Sequence, residues 1–251
     1  MTILELILLG CILGALSGFL SIGGGIVAVP ALLLIDPTIS IHEAISTSLH
    51  LMLISIAGSV VQHFKSQKEF MLEIIYQSWL LQIPLIVGAV FLAIALPDIV
   101  LKIILISLLT IGGFFRIAFF GRQSQYQIRS LKLSMCISST MGALLGIGGA
   151  IFLVPWLRYK QISVKVALGA AALNTFLVSA MGVIVYQINA LISHSRILWV
   201  PIIVISITSP VIAYFCTKIA FTQIKPSTID VIGTVMLFLS SSMVIYSSFF
   251  I

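Results

Sequence analysis

The chain has 251 residues, of which 60% are hydrophobic and only 8% are charged, and its mean hydropathy is +1.24. An ordinary globular domain is about 25% charged, so these residues cannot form the water-facing shell of a soluble protein. A net charge of +6 is explained by basic cytoplasmic loops, and it does not indicate a nucleic-acid-binding face. The composition predicts a polytopic α-helical protein embedded in the lipid bilayer.

Apolar stretches separated by short polar breaks predict eight segments in chain order. A bilayer-spanning helix needs about 20 apolar residues, and the alternation typical of barrel strands is absent. Residues 1–10 contain no Lys or Arg and no A-x-A cleavage site follows, so we expect the N-terminus to be retained. The segments cover residues 3–35, 43–63, 73–96, 99–120, 131–157, 164–190, 197–220 and 227–250.

The first segment is too long for one straight helix. A helix over residues 3–35 would be about 50 Å long, against a hydrocarbon core of about 30 Å. The run Gly23-Gly24-Gly25 lowers helix propensity by about 1 kcal/mol for each residue, and Pro30 removes a backbone donor. The sequence therefore predicts that this segment breaks at the glycines into two half-helices.

The chain contains an internal repeat. A shift of 125 positions lays Leu20–Leu32 on Leu145–Leu157, and Leu, Ile, Gly, Gly, Ile, Pro and Leu coincide. A second match, at an offset of 123, lays Ala44–Ser48 on Ala167–Ala171. We therefore expect two related halves, residues 1–125 and 126–251, each opening with a broken segment (3–35 and 131–157) that three further segments follow.

The positions of Lys and Arg indicate how the halves lie in the membrane. If all eight segments cross, alternate connections carry seven and six basic residues, which gives no orientation signal. If each glycine-broken segment instead enters and returns on one side, the division becomes eleven against two. This hairpin arrangement predicts inverted repeats with extracytoplasmic termini, a common plan of secondary transporters. The alternative is that both segments are kinked and span fully.

The repeated motif carries a family resemblance. It reads G-A-L-S-G-F-L-S-I-G-G-G-I-V-A-V-P-A-L over residues 14–32 and is followed by A-I-S-T-S-L over 44–49. This duplicated pattern closely resembles the TauE/SafE sulfite exporter family over nearly the whole chain. The resemblance implies a plasma-membrane permease, in bacteria of the inner membrane, for sulfite, thiosulfate, sulfonates, sulfoacetate or related organic anions.

The second half departs from the family pattern. Ala150 replaces the third glycine, and Ala170-Ala171 stand where a Thr-Ser pair is expected. We therefore expect this half to contribute fewer hydroxyl groups and the site to be asymmetric.

The residues of the motif independently favour an anion. Glycines permit positive φ, and successive N–H groups at the start of a half-helix form a concavity that attracts negative charge. The alternatives are that the glycines only allow close helix packing and that the hydroxyl groups bond back to their own helix; of Thr47 and Ser48, we expect only one to bind substrate. The candidate substrate-binding residues are Ser21, Gly23, Gly24, Gly25, Thr47, Ser48, Gly148, Gly149, Ala150 and Asn174.

The four histidines differ in their expected roles. His50 lies inside the second segment, where an ionisable group is a candidate for carrying a coupled proton; the alternative is a neutral histidine hydrogen-bonded between helices. His42 and Glu43 are expected to cap this segment, and His63 and His194 are expected to lie at loop ends.

The leading functional prediction is a secondary transporter rather than an enzyme. A negative cell interior favours anion efflux by about 2.3 kcal/mol per charge per 100 mV, so export needs no coupled ion, whereas import would need proton symport. A passive anion channel is the alternative class. The three cysteines lack CxxC spacing, so packing thiols are expected, and neither a cofactor nor a metal is predicted. The oligomeric state is left open, including a homo-oligomer.

Overall fold

The computed structural model describes residues 3–36, 38–119, 131–193, 197–222 and 226–249. These residues form an all-helical bundle with seven candidate membrane spans, of which α3 supplies two, and two shorter apolar helices, α2 and α6. The predicted fold class is confirmed. The helices are α1 (Ile3–Leu20), α2 (Gly25–Ile35), α3 (Ile41–Ala95), α4 (Asp98–Phe119), α5 (Leu131–Leu145), α6 (Ala150–Tyr159), α7 (Val164–Ser193), α8 (Trp199–Thr222) and α9 (Pro226–Phe249).

Both glycine-rich segments break where the sequence predicts. Four residues lie between the end of α1 and the start of α2, and four lie between α5 and α6. Within each break the chain turns back towards the middle of the preceding helix. A Cβ placed on Gly24 would lie 2.9 Å from the Leu13 side chain, and one placed on Gly149 would lie 2.6 Å from Ser138 Oγ. The starts of α2 and α6 therefore lie beside the middle of α1 and α5.

Helix α3 corrects one predicted boundary. The sequence predicts separate segments over 43–63 and 73–96, whereas the structure has one helix from Ile41 to Ala95 with a non-helical kink at Gln67 (φ −147°, ψ 40°). The charged connection contains Lys, Gln and Glu, which are good helix formers, and no glycine or proline, so polarity there bends the helix without ending it. Ser48 and Gln82, on the two arms, both contact residues of the second half, so the arms fold towards each other.

The first arm of α3 packs antiparallel to α7 in the centre of the bundle. A Cβ on Gly169, near the start of α7, would lie 3.2 Å from His63, and a Cβ on Gly182 would lie 2.9 Å from Leu49. Helices α4 and α9 also run antiparallel. Thr110 contacts Ser241, whereas Arg116, nearer the end of α4, contacts Asp230, nearer the start of α9.

The described residues of the connections rich in Lys and Arg lie at one end of this bundle. The Gln67 side chain donates to the Lys165 carbonyl, so the kink of α3 lies beside the start of α7. Arg116 of α4 and Arg158 of α6 both pair with Asp230 of α9. The predicted connection 121–130, together with Pro37, His194 and Arg196, lies outside the described residues.

Candidate functional site

The two glycine breaks meet in the interior of the bundle. A Cβ on Gly25 would lie 2.8 Å from the Gly146 carbonyl oxygen, and a Cβ on Gly148 would lie 2.8 Å from the Ile22 carbonyl oxygen. Gly148 has a φ of 74°, in the left-handed region that L side chains rarely adopt. Glycine at 148 is thus required both by the backbone conformation and by the approach of the other half.

The break residues and the first residues of α2 and α6 are buried. A helix leaves its first N–H groups without intrahelical partners, and these carry the positive end of the helix dipole. The predicted residues Gly23, Gly24, Gly25, Gly148, Gly149 and Ala150 therefore lie together around two helix starts.

Two hydrogen bonds connect the halves in a matching way. Ser48 Oγ donates to the Gly146 carbonyl over 2.7 Å, and Thr175 Oγ1 donates to the Ser21 carbonyl over 3.4 Å. Residues 21 and 146 are the equivalent positions of the repeat at an offset of 125. Each half thus uses a hydroxyl group of its central helix to hold the break of the other half.

These bonds correct the predicted register of the second match. They pair Ser48 with Thr175, and Thr47 with Asn174, at an offset of 127 rather than 123. The helix beginning after Ser163 runs about one turn further than the one beginning after Ser40 before it reaches the break. The comparison with Ala170-Ala171 therefore misplaced the second half by one helical turn. In the corrected register Thr175 supplies one hydroxyl group, while Asn174 and Gly146 stand where the first half has Thr47 and Ser21.

The second break is surrounded by a polar cluster that includes Asn174. Ser138 Oγ donates to the Gly149 carbonyl, and Asn174 Nδ2 is 3.4 Å from Ser138 Oγ. Asn174 Oδ1 and Gln82 Oε1 lie 2.6 and 2.9 Å from Ser139 Oγ. The Ser139 hydroxyl has one hydrogen, and the Met135 carbonyl is a further acceptor 2.6 Å away. Turning the Gln82 amide so that Nε2 faces Ser139 replaces one of these acceptors by a donor.

The first half presents hydroxyl groups without partners. Ser17, Ser46 and Thr47 are buried, and within the described part of the chain their hydroxyl oxygens make no hydrogen bond. Ser48 is committed to Gly146, so of the predicted pair Thr47 is the one left with a donor. A buried hydroxyl without a partner carries a desolvation penalty of about 1–3 kcal/mol, which a bound acceptor would remove.

His63 was wrongly predicted to lie at a loop end. It is fully buried in α3, one turn before the kink, with Nε2 3.3 Å from Ser21 Oγ and Nδ1 3.3 Å from Gln67 Nε2. Its proximity to the charged stretch 65–69 suggested an interfacial position. The helical spacing of His63 from Ser59, Ser55 and Met52, all buried, is the signal that would have placed it inside.

His50 lies at the opposite end of the same arm. Its Nδ1 is 2.8 Å from the Ser46 carbonyl, so Nδ1 is the protonated nitrogen, and Nε2 accepts from Gln187 of α7 over 3.2 Å. This geometry matches the alternative of a neutral histidine bonded between helices. Glu43 closes a capping box with Ser40 as expected, whereas His42 instead pairs with Asp98 over 3.1 Å.

Gly14 and Gly18 have the packing role that was the alternative for the glycine motif. A Cβ on Gly14 would lie 2.6 Å from the Ser209 carbonyl, and one on Gly18 would lie 2.5 Å from Cys216 Cβ. These glycines let α1 approach α8 closely. Their role therefore differs from that of the central glycines, which lie where the two breaks meet.

The sequence was compared with known proteins. The profile of the family described as "Sulfite exporter TauE/SafE" matches residues 6–244. The chain belongs to this family. A curated relative from Haemophilus influenzae, "Probable membrane transporter protein", is 28% identical in an alignment of 204 positions that covers 74% of each chain. No solved structure gives a significant match.

This family is the one that the duplicated glycine motif resembles. The family, the relative and the candidate spans together make this TauE/SafE protein a multi-pass membrane transporter. The family profile spans both glycine breaks and nearly the whole bundle.

Proposed function

We propose that this transporter carries a small sulfur-containing or related organic anion, such as sulfite or a sulfonate, and that the anion binds between the two glycine breaks. The observation that carries the proposal is the meeting of two buried helix starts. Thr47, next to the Ser48 that bonds the second break, adds a buried hydroxyl group that makes no hydrogen bond within the described residues. The site residues named above include no Lys or Arg, so N–H and O–H donors would bind the anion. A neutral donor set of this kind holds an anion without a permanent ion pair, which favours release.

We further infer that the halves are inverted repeats that rock around this site. Support comes from the antiparallel packing of α3 on α7 and of α4 on α9, and from the matching bonds of Ser48 and Thr175. The gathering of basic connections at one end supports the hairpin arrangement, in which that end is cytoplasmic. Fully spanning first and fifth segments would put Gln67 and Lys165 on opposite sides, whereas they are hydrogen-bonded.

Export is the favoured direction, since the membrane potential drives anions outwards. Import by proton symport would need a titrating group, for which His50 is the candidate predicted from sequence. A passive channel through the same site would show neither saturation nor counterflow.

The direct test is thermal unfolding of the purified protein in detergent with sulfite, thiosulfate, sulfoacetate, sulfate, acetate and chloride at matched ionic strength. A ligand at about 100 times its Kd adds about 2.7 kcal/mol of stability, so a sulfur oxyanion should raise Tm saturably. Equal responses to all six anions would contradict a specific site.

A further inference from the structure

A line of polar contacts runs from the first glycine break to the kink of α3. Ser21 Oγ contacts His63, His63 contacts Gln67, and Gln67 contacts the Lys165 carbonyl at the start of α7. The line thus reaches from the proposed anion site to the end of the bundle where the basic connections meet.

The direction of donation along this line follows from its last member. The Lys165 carbonyl can only accept, so the Gln67 amide must turn its NH2 group towards it, over 3.0 Å. The same nitrogen is 3.3 Å from His63 Nδ1 and has a second hydrogen to donate. His63 Nδ1 is therefore an acceptor, which places the ring hydrogen of the neutral imidazole on Nε2.

This tautomer decides what Ser21 can do. His63 Nε2–H donates to Ser21 Oγ, so the hydroxyl oxygen is held as an acceptor and its own hydrogen stays available for a ligand. Thr175 binds the Ser21 carbonyl rather than its hydroxyl, and Ser21 Oγ makes no further hydrogen bond within the described part of the chain.

The backbone at Ser21 gives an independent indication. Its φ is 55°, in the left-handed region that disfavours a side chain by about 1–2 kcal/mol. The equivalent residue of the second half is Gly146, with a φ of 64°, which avoids this penalty. A strained serine where glycine would be easier points to a functional hydroxyl.

We propose that His63 is a positioning residue, which Gln67 holds in the Nε2–H tautomer so that Ser21 donates its hydroxyl hydrogen to the transported anion. This inference rests on the proposed anion site. It adds two residues, His63 and Gln67, that leave the Ser21 hydroxyl free to donate its hydrogen to the anion. It also links anion binding to the α3 kink, because the same Gln67 amide holds the kink against α7.

The test compares two substitutions of one residue. His63→Gln keeps an amide nitrogen near the position of Nε2, whereas His63→Asn keeps a polar atom only near Nδ1. We expect His63→Asn to weaken sulfite affinity about tenfold, the loss typical of one hydrogen bond to a charged group. His63→Gln should stay within about threefold of the wild type. The matched control is His42→Asn at the start of the same helix, where His42 pairs with Asp98, and it should retain wild-type affinity.

A double-mutant cycle separates positioning from general damage. Ser21→Ala alone should weaken affinity about tenfold, and adding His63→Asn to Ser21→Ala should cause no further loss, because His63 acts through Ser21. Affinities come from the anion-dependent Tm shift, and the anion-free Tm of each variant reports folding. Equal affinities for His63→Gln and His63→Asn, or additive losses in the double-mutant cycle, would contradict the positioning role of His63. The anion titrated is sulfite or, if sulfite does not bind, the sulfur-containing anion of the same series that does. Absence of saturable binding of every one of them by the wild type would instead overturn the proposed function.

Discussion

Replacing Gly148 by alanine tests whether the two breaks must pass this close to each other. The φ of 74° at Gly148 disfavours an L side chain by about 1–2 kcal/mol. The new methyl group would also lie 2.8 Å from the Ile22 carbonyl oxygen, and relieving such overpacking costs about 1–3 kcal/mol. The sum is about 2–5 kcal/mol of destabilisation.

The matched control is Gly88→Ala. Gly88 lies inside α3, and a Cβ there would meet no atom within 4 Å, so alanine should stabilise the helix by about 0.5–1 kcal/mol. At roughly 2–4 °C per kcal/mol for a chain of this size, Gly148→Ala should lower the Tm of the purified protein by on the order of 10 °C. Gly88→Ala should raise it by a few degrees. A Gly148→Ala protein that unfolds at the wild-type temperature would refute the reasoning.

Three further substitutions address the hydroxyl groups and the buried ion pairs. Thr47→Val keeps the shape of the side chain and removes a hydroxyl group without a partner. Anion affinity should therefore fall about tenfold, while the Tm without anion should not fall. Unchanged affinity in the Tm-shift titration would exclude Thr47 as a ligand. Ser48→Ala leaves the Gly146 carbonyl without its donor and should destabilise the protein by about 1–3 kcal/mol, measured as a lower anion-free Tm. Asp230→Asn leaves the buried Arg116 without its carboxylate and should cost about 3–5 kcal/mol; a loss smaller than that of Ser48→Ala would contradict the assigned ion pairs.

The helical class, the two breaks and the repeat at an offset of 125 could be predicted because each rests on residues with strong local physics. Consecutive glycines end a helix, and the same signal occurs twice. The sequence also predicts that the glycines of one break lie close to the backbone of the other, and Gly25 and Gly148 do so.

The register of the central helices could not be predicted from local signals. One extra turn at the start of α7 moves Asn174 and Thr175 into the positions that Thr47 and Ser48 have in the first half, and nothing in the composition of a helix indicates such a shift. His63 was misplaced for a related reason, since a polar stretch that bends a helix looks the same in sequence as one that ends it.

The most direct test of the central claim is counterflow in proteoliposomes that contain the purified protein. Vesicles loaded with unlabelled sulfite should transiently accumulate labelled sulfite from outside, with a saturable initial rate. Thr47→Val should need about tenfold more sulfite for half saturation. Flux that rises linearly without counterflow would indicate a channel, and no flux of any sulfur oxyanion or sulfonate would contradict the proposed substrate class.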